Sequence, residues 1–295
     1  MTKPTGLWNI SFNIANYLLL SLITFACVYP FYYIFIYSIS DPLEASRGLV
    51  FLPRGINFDN YKAMLKLPDI YSSFVISVLR AVIGTIVTVF SSSLFAYIVT
   101  KNELVWRKFF YRFVIISLYL NAGLIPWYLT MKNLGLKNNF LLYVLPGAIV
   151  GFYVILIKTF IEQLPAALEE SAMIDGAGYF TIYRKIIFPL SLPIIATIAV
   201  FAAVGQWNSW QDNFFLVSDP KLQTIQLILY NYLNQVQSLA NMSVQELNRG
   251  AAARILTPQS VQMTITMVVT IPILFVYPFM QKYFVKGIML GAVKG

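Results

Sequence analysis

The sequence predicts an all-α transmembrane protein of six spans, and three observations predict it. Only 11% of the 295 residues are charged while 58% are hydrophobic, against about a quarter charged in a soluble domain. So few charges cannot cover that much apolar surface in water, so lipid is the solvent for much of the chain. The charges are also separated by apolar stretches of membrane-crossing length, about 20 residues. Finally, one compact polar stretch, "EESAMIDGAGYFTIYRKIIFPLSLP" (169–193), holds three of the twelve carboxylates within seven residues.

Gaps between charges place the spans. No charge lies between Pro4 and Ser40, which sets span one at about 14–38. Arg80 and Lys101 bracket the second, taken as 73–100 with Arg80 at a membrane edge. Arg112 to Lys132 and Lys137 to Lys158 frame the third and fourth, about 109–131 and 139–160. The fifth and sixth are about 190–217 and 259–281, each read as one helix. Pro126, Pro146, Pro189 and Pro193 fall in spans three to five or at their ends; each removes a backbone bond that neighbours must replace. Residues 1–295 read as a single domain without internal repeats, and the apolar start is far longer than a cleavable signal's core.

An even span count puts both termini on one side. With termini inside, the inner segments hold eleven of the 21 basic residues and the outer loops nine, with Arg80 apart. Long outer loops weigh little in the positive-inside rule, whereas the short 101–112 turn is strongly basic, which favours cytoplasmic termini. Two outer segments are long. In the first, Asp59 is placed to cap a short helix after Pro53 and Gly55. The second, 218–257, is rich in Gln and Asn.

Composition excludes several function classes. The net charge of +9 is spread singly through loops, with no basic stripe for a phosphate backbone, so no nucleic acid is expected. There is no His and one Cys, Cys27, which removes an internal disulfide, the common zinc sites and the usual base of a nucleophilic triad. No catalytic residue, metal or cofactor is expected.

The polar stretch lies in the predicted loop between spans four and five, about 161–189. Pro165 suits the first turn of a helix over "PAALEESAMID", and Gly176 suits a left-handed cap at its end. A second short helix, "YFTIYRKII", leads to Pro189. A connector between adjacent spans needs only a few residues, so a loop of about thirty asks for a purpose. An interfacial helix anchored by Arg184 and Lys185 is one reading.

The residues carry another. "ESAMIDGAGYFTIYRKIIFP" closely resembles the EAA loop of bacterial ABC-importer permeases, with Glu170, Ala172, Gly176, Ile186 and Pro189 in register. Ser171 stands in place of the first Ala and Phe188 in place of Leu, while Asp175 completes the Ile-Asp-Gly of the sugar branch. "NAGLIPWYLTMKNLGLKNNFLLYVLP" (121–146), "WNSWQDNFFLV" (207–217) and "QKYFVKGIMLGAVKG" (281–295) resemble the maltose-type carbohydrate permeases. They are most similar to the oligosaccharide and plant-wall-sugar subgroup of Gram-positive bacteria.

The resemblance implies a six-helix type I ABC importer permease in the bacterial cell membrane. In that family the loop carries a coupling helix that docks on a separate ATP-binding subunit. Glu169, Glu170, Ala172, Asp175 and Gly176 are its candidates here, and the glycine-rich tail is expected to contact the ATPase pair as well. The implied partners are a second homologous permease, two ATP-binding cassette subunits, an extracellular solute-binding protein and a sugar. Consistently, the chain has no Gly-x-x-x-x-Gly-Lys-Ser/Thr phosphate loop. The sequence favours this function over a secondary transporter or channel, which would place ionisable relays within its spans.

Sugar sites combine aromatic faces with planar polar groups. "WNSWQDN" offers Trp207 and Trp210, three apart on an expected helix, with Asn208 and Asp212 beside them. These four, with Asn121 near Pro126, are the candidate substrate pathway. An aromatic belt is the alternative for the tryptophans.

Overall fold

The computed structural model describes residues 7–46, 48, 51–67, 69–240 and 258–292, without the side chains of residues 7, 8, 43, 46, 63, 236–240, 258 and 277–292. All regular structure among them is helical. Residues 1–6, 241–257 and 293–295 lie outside, including Lys3, the latter half of the Gln- and Asn-rich segment and the end of the tail.

The helices are α1 (Leu7–Ser38), α2 (Pro42–Ser46), α3 (Asp59–Leu65), α4 (Ile70–Ile98), α5 (Arg107–Tyr119), α6 (Leu124–Asn133), α7 (Gly151–Ile161) and α8 (Ala167–Ile174). There follow α9 (Tyr179–Leu190), α10 (Leu192–Asn208), α11 (Gln211–Leu216), α12 (Ile225–Ala240) and α13 (Pro258–Ala292). The chain divides into two compact units, 1–68 with 231–271 and 69–230 with 272–295.

In the first unit, α1 is apolar on every side and largely exposed, as a helix in lipid should be. Its end is pinned by polar groups. Ser40 Oγ donates to Ile36 O (2.5 Å), and the Asn60 amide donates to Ser38 O and Ser40 O (3.2 Å each). Ile36, Tyr37 and Ala45 bury themselves beside this capped turn. Asn57 Oδ1 accepts from Asp59 N as α3 begins.

In the second unit α4 is the central rod, 29 residues without a break. One face carries small polar residues: Ser73, Ser77, Thr88, Ser92 and Ser93 are all buried. Small side chains let neighbouring helices approach closely, and the hydroxyls of Ser77, Thr88 and Ser92 serve backbone groups that lipid cannot. Gly84 shows how close the approach is: a Cβ there would come within 2.7 Å of the Gln206 side chain on α10.

Among the described residues, three helices are long and apolar enough to cross a membrane, Asn9–Ser38, Ile70–Ile98 and Gln259–Val276; α9 and α10 together make a fourth, bent by 82°. The corner is at Ser191, between Pro189 and Pro193, neither of which has an N–H to continue a helical ladder. Three stretches expected as single helices are interrupted instead. Residues 109–131 break between Tyr119 and Leu124, where Asn121 Oδ1 accepts from Gly123 N (2.9 Å). Residues 139–160 form a short 3₁₀ turn at Phe140–Tyr143 and an unwound segment before α7. Residues 190–217 break at Ser209–Trp210.

The candidate permeation cavity and coupling loop

The unwound segment before α7 is repaired by α4. Thr88 Oγ1 donates to Gly147 O (2.7 Å), Ser92 Oγ to Ala148 O (3.5 Å), and Ser92 Oγ accepts from Val150 N (3.3 Å). Non-helical backbone at membrane depth survives only where protein or a polar cavity satisfies it. Both conditions hold here. A cavity of about 320 Å³ lies against Pro146, Gly147 and Val150 on one side and Gly205, Gln206 and Ser209 on the other. The interrupted span before α7 and the interrupted α10–α11 pair therefore face one space.

The cavity's electrostatic centre is Arg80. Its side chain is 4% exposed and lies well inside α4. Burial is tolerated because each of the three guanidinium nitrogens has an acceptor. Nε donates to Gln206 Oε1 (3.0 Å), Nη1 to Ser209 O (3.3 Å) and Asp212 Oδ1 (2.9 Å), and Nη2 to Asp212 Oδ2 (2.6 Å). The Tyr143 ring lies 4.5 Å from its carbon. A bidentate fork of this kind fixes geometry as well as charge. Tyr143 extends the network: its hydroxyl donates to Leu222 O (2.7 Å) and accepts from the Asn213 amide, while Asn213 Oδ1 accepts from Thr224 N (3.0 Å).

The sequence-derived pathway candidates separate. Asp212 lines the cavity. Trp207 is buried edge-on against Phe74 at 6.1 Å. Trp210 does not share a helix with Trp207, because α10 ends at Asn208; it stacks on Tyr230 at 4.0 Å. Asn208 is exposed and accepts from Gln226 (3.2 Å), and Asn121 caps its own turn. Sequence reasoning missed Gln206, Tyr143, Tyr153 and Trp127, all on the cavity wall. The Pro146-Gly147 pair was the available local signal for the unwound wall.

The coupling-loop candidates also sort by face. The helix expected over "PAALEESAMID" is shorter, about two turns as α8, and ends in a reciprocal pair of backbone bonds: Ala177 N to Ala172 O (2.9 Å) and Gly176 N to Met173 O (3.0 Å). This motif needs a left-handed residue, and Gly176 has φ 81°. Ala172 packs toward the buried cluster of Ile157, Ile161, Ile182 and Tyr183. Glu169 turns the same way and pairs with Lys101, just beyond α4. Glu170 and Asp175 are exposed, and Ile174 presents 87% of its surface.

A family model described as "Binding-protein-dependent transport system inner membrane component" matches residues 92–290, which take in the loop and the cavity wall apart from Arg80 and Thr88. The chain belongs to this family. It is 36% identical to the polygalacturonan/rhamnogalacturonan transport system permease protein YtcP of Bacillus subtilis (strain 168), over 97% of this chain and 99% of the relative. It is 35% identical to Protein LplC of the same organism, over 96% and 95%. A crystal structure of a bacterial ABC transporter involved in import of the acidic polysaccharide alginate contains a chain 29% identical, with a TM-score of 0.84, covering 96% of this chain and 100% of that one. This inner membrane component is thus an ABC importer permease, not a secondary transporter or channel. Its cavity and loop are features of a transport subunit that works with other ABC components and a binding protein.

Proposed function

We propose that this permease carries a sugar, an oligosaccharide, through the cavity beside Arg80, driven by ATP hydrolysis in separate subunits. The observation that carries the reading is the pair of interrupted helices around one polar, aromatic-edged space. Discontinuous helices build solute sites in membrane proteins because their freed backbone groups can meet a ligand. The lining suits a pyranose: Trp127 and Tyr153 offer flat faces, while Gln206, Ser209 and Thr88 offer groups for hydroxyls. The relative named for polygalacturonan and rhamnogalacturonan transport supports the substrate class.

In this reading six crossings leave both termini in the cytoplasm, where Lys101, Arg107, Lys108 and Arg112 supply inside-positive charge. The functional unit pairs this chain with a second homologous permease, two ATP-binding cassette subunits and an extracellular solute-binding protein. Glu170, Ile174, Asp175 and Gly176 form the face of the loop that docks on the ATPase. Hydrolysis belongs to that partner, and this chain has no catalytic role.

The test is uptake of neutral and acidic oligosaccharides by the complete complex in vesicles, with binding protein outside and ATP inside. Gln206→Leu should lower uptake. Unaltered uptake with this variant at every sugar concentration would remove the cavity from the path.

A further inference from the structure

Glu169 and Glu170 are adjacent, so they project from α8 about 100° apart, and the structure gives them different surroundings. Glu170 is exposed, whereas the Glu169 side chain is 18% exposed and paired with Lys101. Lys101 is itself 15% exposed and lies 4.1 Å from the Tyr97 ring centroid, held between a carboxylate and an aromatic face. The corner that carries Lys101 is stiff. Lys101 N donates to Ile98 O (3.1 Å), Thr100 Oγ1 to Tyr97 O (2.6 Å), and Arg107 Nη1 closes the turn onto Thr100 O (3.1 Å). A second tether lies about two turns further along the same rod, where the hydroxyls of Ser93 and Tyr183 are 2.7 Å apart. The loop is therefore fastened at two points to α4. From Ile98 that unbroken helix runs about 27 Å, at 1.5 Å per residue, to Arg80 at the cavity.

We infer that Glu169 is a positioning residue rather than an ATPase-docking residue: with Lys101 it clamps the coupling loop to α4, which conveys loop movement to the cavity wall. This rests on the reading of α8 as the ATPase contact. A lever must be gripped on one face and pushed on the other. Glu169 and Ala172 lie on the gripped face; Glu170 and Ile174 lie on the free one. A partly shielded charge pair against an aromatic ring can hold the grip as the loop tilts, because the long Lys101 side chain follows the carboxylate.

The experiment uses the complete importer in vesicles and reads solute transported per ATP hydrolysed, a ratio that mere loss of protein does not change. Lys101→Met and Glu169→Gln should each lower that ratio about ten-fold, within the span of ordinary coupling free energies, while the ATPase subunits still co-purify. The double exchange Lys101→Glu with Glu169→Lys should recover most of it. Lys101→Arg, which keeps the charge, serves if the exchange fails to insert, and should stay within two-fold of the parent. Single variants with the parent ratio would overturn the clamp. So would an exchange no better than its components, or a Lys101→Arg as impaired as Lys101→Met. Loss of co-purification on Glu169→Gln alone would make Glu169 a docking residue. Glu170→Ala and Ile174→Ala probe the docking reading separately: normal co-purification and transport in both would sink that reading, whatever the exchange shows.

Discussion

Arg80 on α4 and Asp212 at the start of α11, 132 positions apart, are joined by two hydrogen bonds of 2.9 and 2.6 Å. The pair pins the break in the α10–α11 stretch to the central rod. Removing one partner of a buried pair leaves a charge without compensation, at a cost of roughly 3–5 kcal/mol. Asp212→Ala and Arg80→Ala should both lower the melting temperature of the purified complex strongly. Arg80→Lys should rescue little, because an ammonium cannot reproduce the fork. A stable, fully active Arg80→Lys would show that charge alone matters.

The unwound segment makes its own prediction. Thr88→Val keeps the shape of the side chain but removes the donor to Gly147 O. Leaving a buried acceptor short of a partner costs about 1–3 kcal/mol. Thr88→Val should therefore be less stable than Thr88→Ser, which retains the hydroxyl, and thermal unfolding of the two side by side decides it.

Gly176 lies at φ 81° with nothing within 4 Å of a Cβ built there. Space is therefore not the obstacle; backbone strain is, at about 1–2 kcal/mol for a branched residue. Gly176→Val should insert normally, yet weaken ATPase co-purification or coupled hydrolysis. Unchanged coupled transport would show that the turn has no part in coupling.

Trp210 and Gln206 separate packing from transport. Trp210→Ala loses a stack on Tyr230 worth about 0.5–1.5 kcal/mol beyond its area, and should act mainly on stability. Gln206→Leu changes the cavity wall and also removes the acceptor of Arg80 Nε, so it should lower uptake beyond what its loss of complex stability explains. Uptake that falls more with Trp210→Ala than with Gln206→Leu, at equal complex yield, would move the pathway toward the tryptophan.

The apolar lengths and the short helix closed by Gly176 were legible in the sequence because both are local. Spacing of charges located α1, α4 and α13, and Gly176 announced its own cap. The interruptions were harder. Trp207 and Trp210 have helical spacing, but the chain leaves the helix after Asn208 because Ser209 O and Asp212 are drawn to Arg80. No local pattern reports a partner 132 positions away. The same blindness hid the burial of Arg80, since an unpaired arginine belongs at a membrane edge and only the fold supplies the pair. Pro146 and Gly147 signalled a weak helix, but the hydroxyls that make unwinding affordable sit on α4. Likewise, nothing in the pair of adjacent glutamates tells which one faces Lys101.

The saturation of Arg80 also bears on voltage. Arg80 and Asp212 are the two charged side chains among the described residues of the cavity wall, and they are joined to each other. An isolated charge moved across a membrane potential would exchange about 2.3 kcal/mol per 100 mV with the field. A wall whose opposite charges travel together exchanges almost none. A movement that carried α4, α10 and α11 together would therefore take no net charge of this wall through the field.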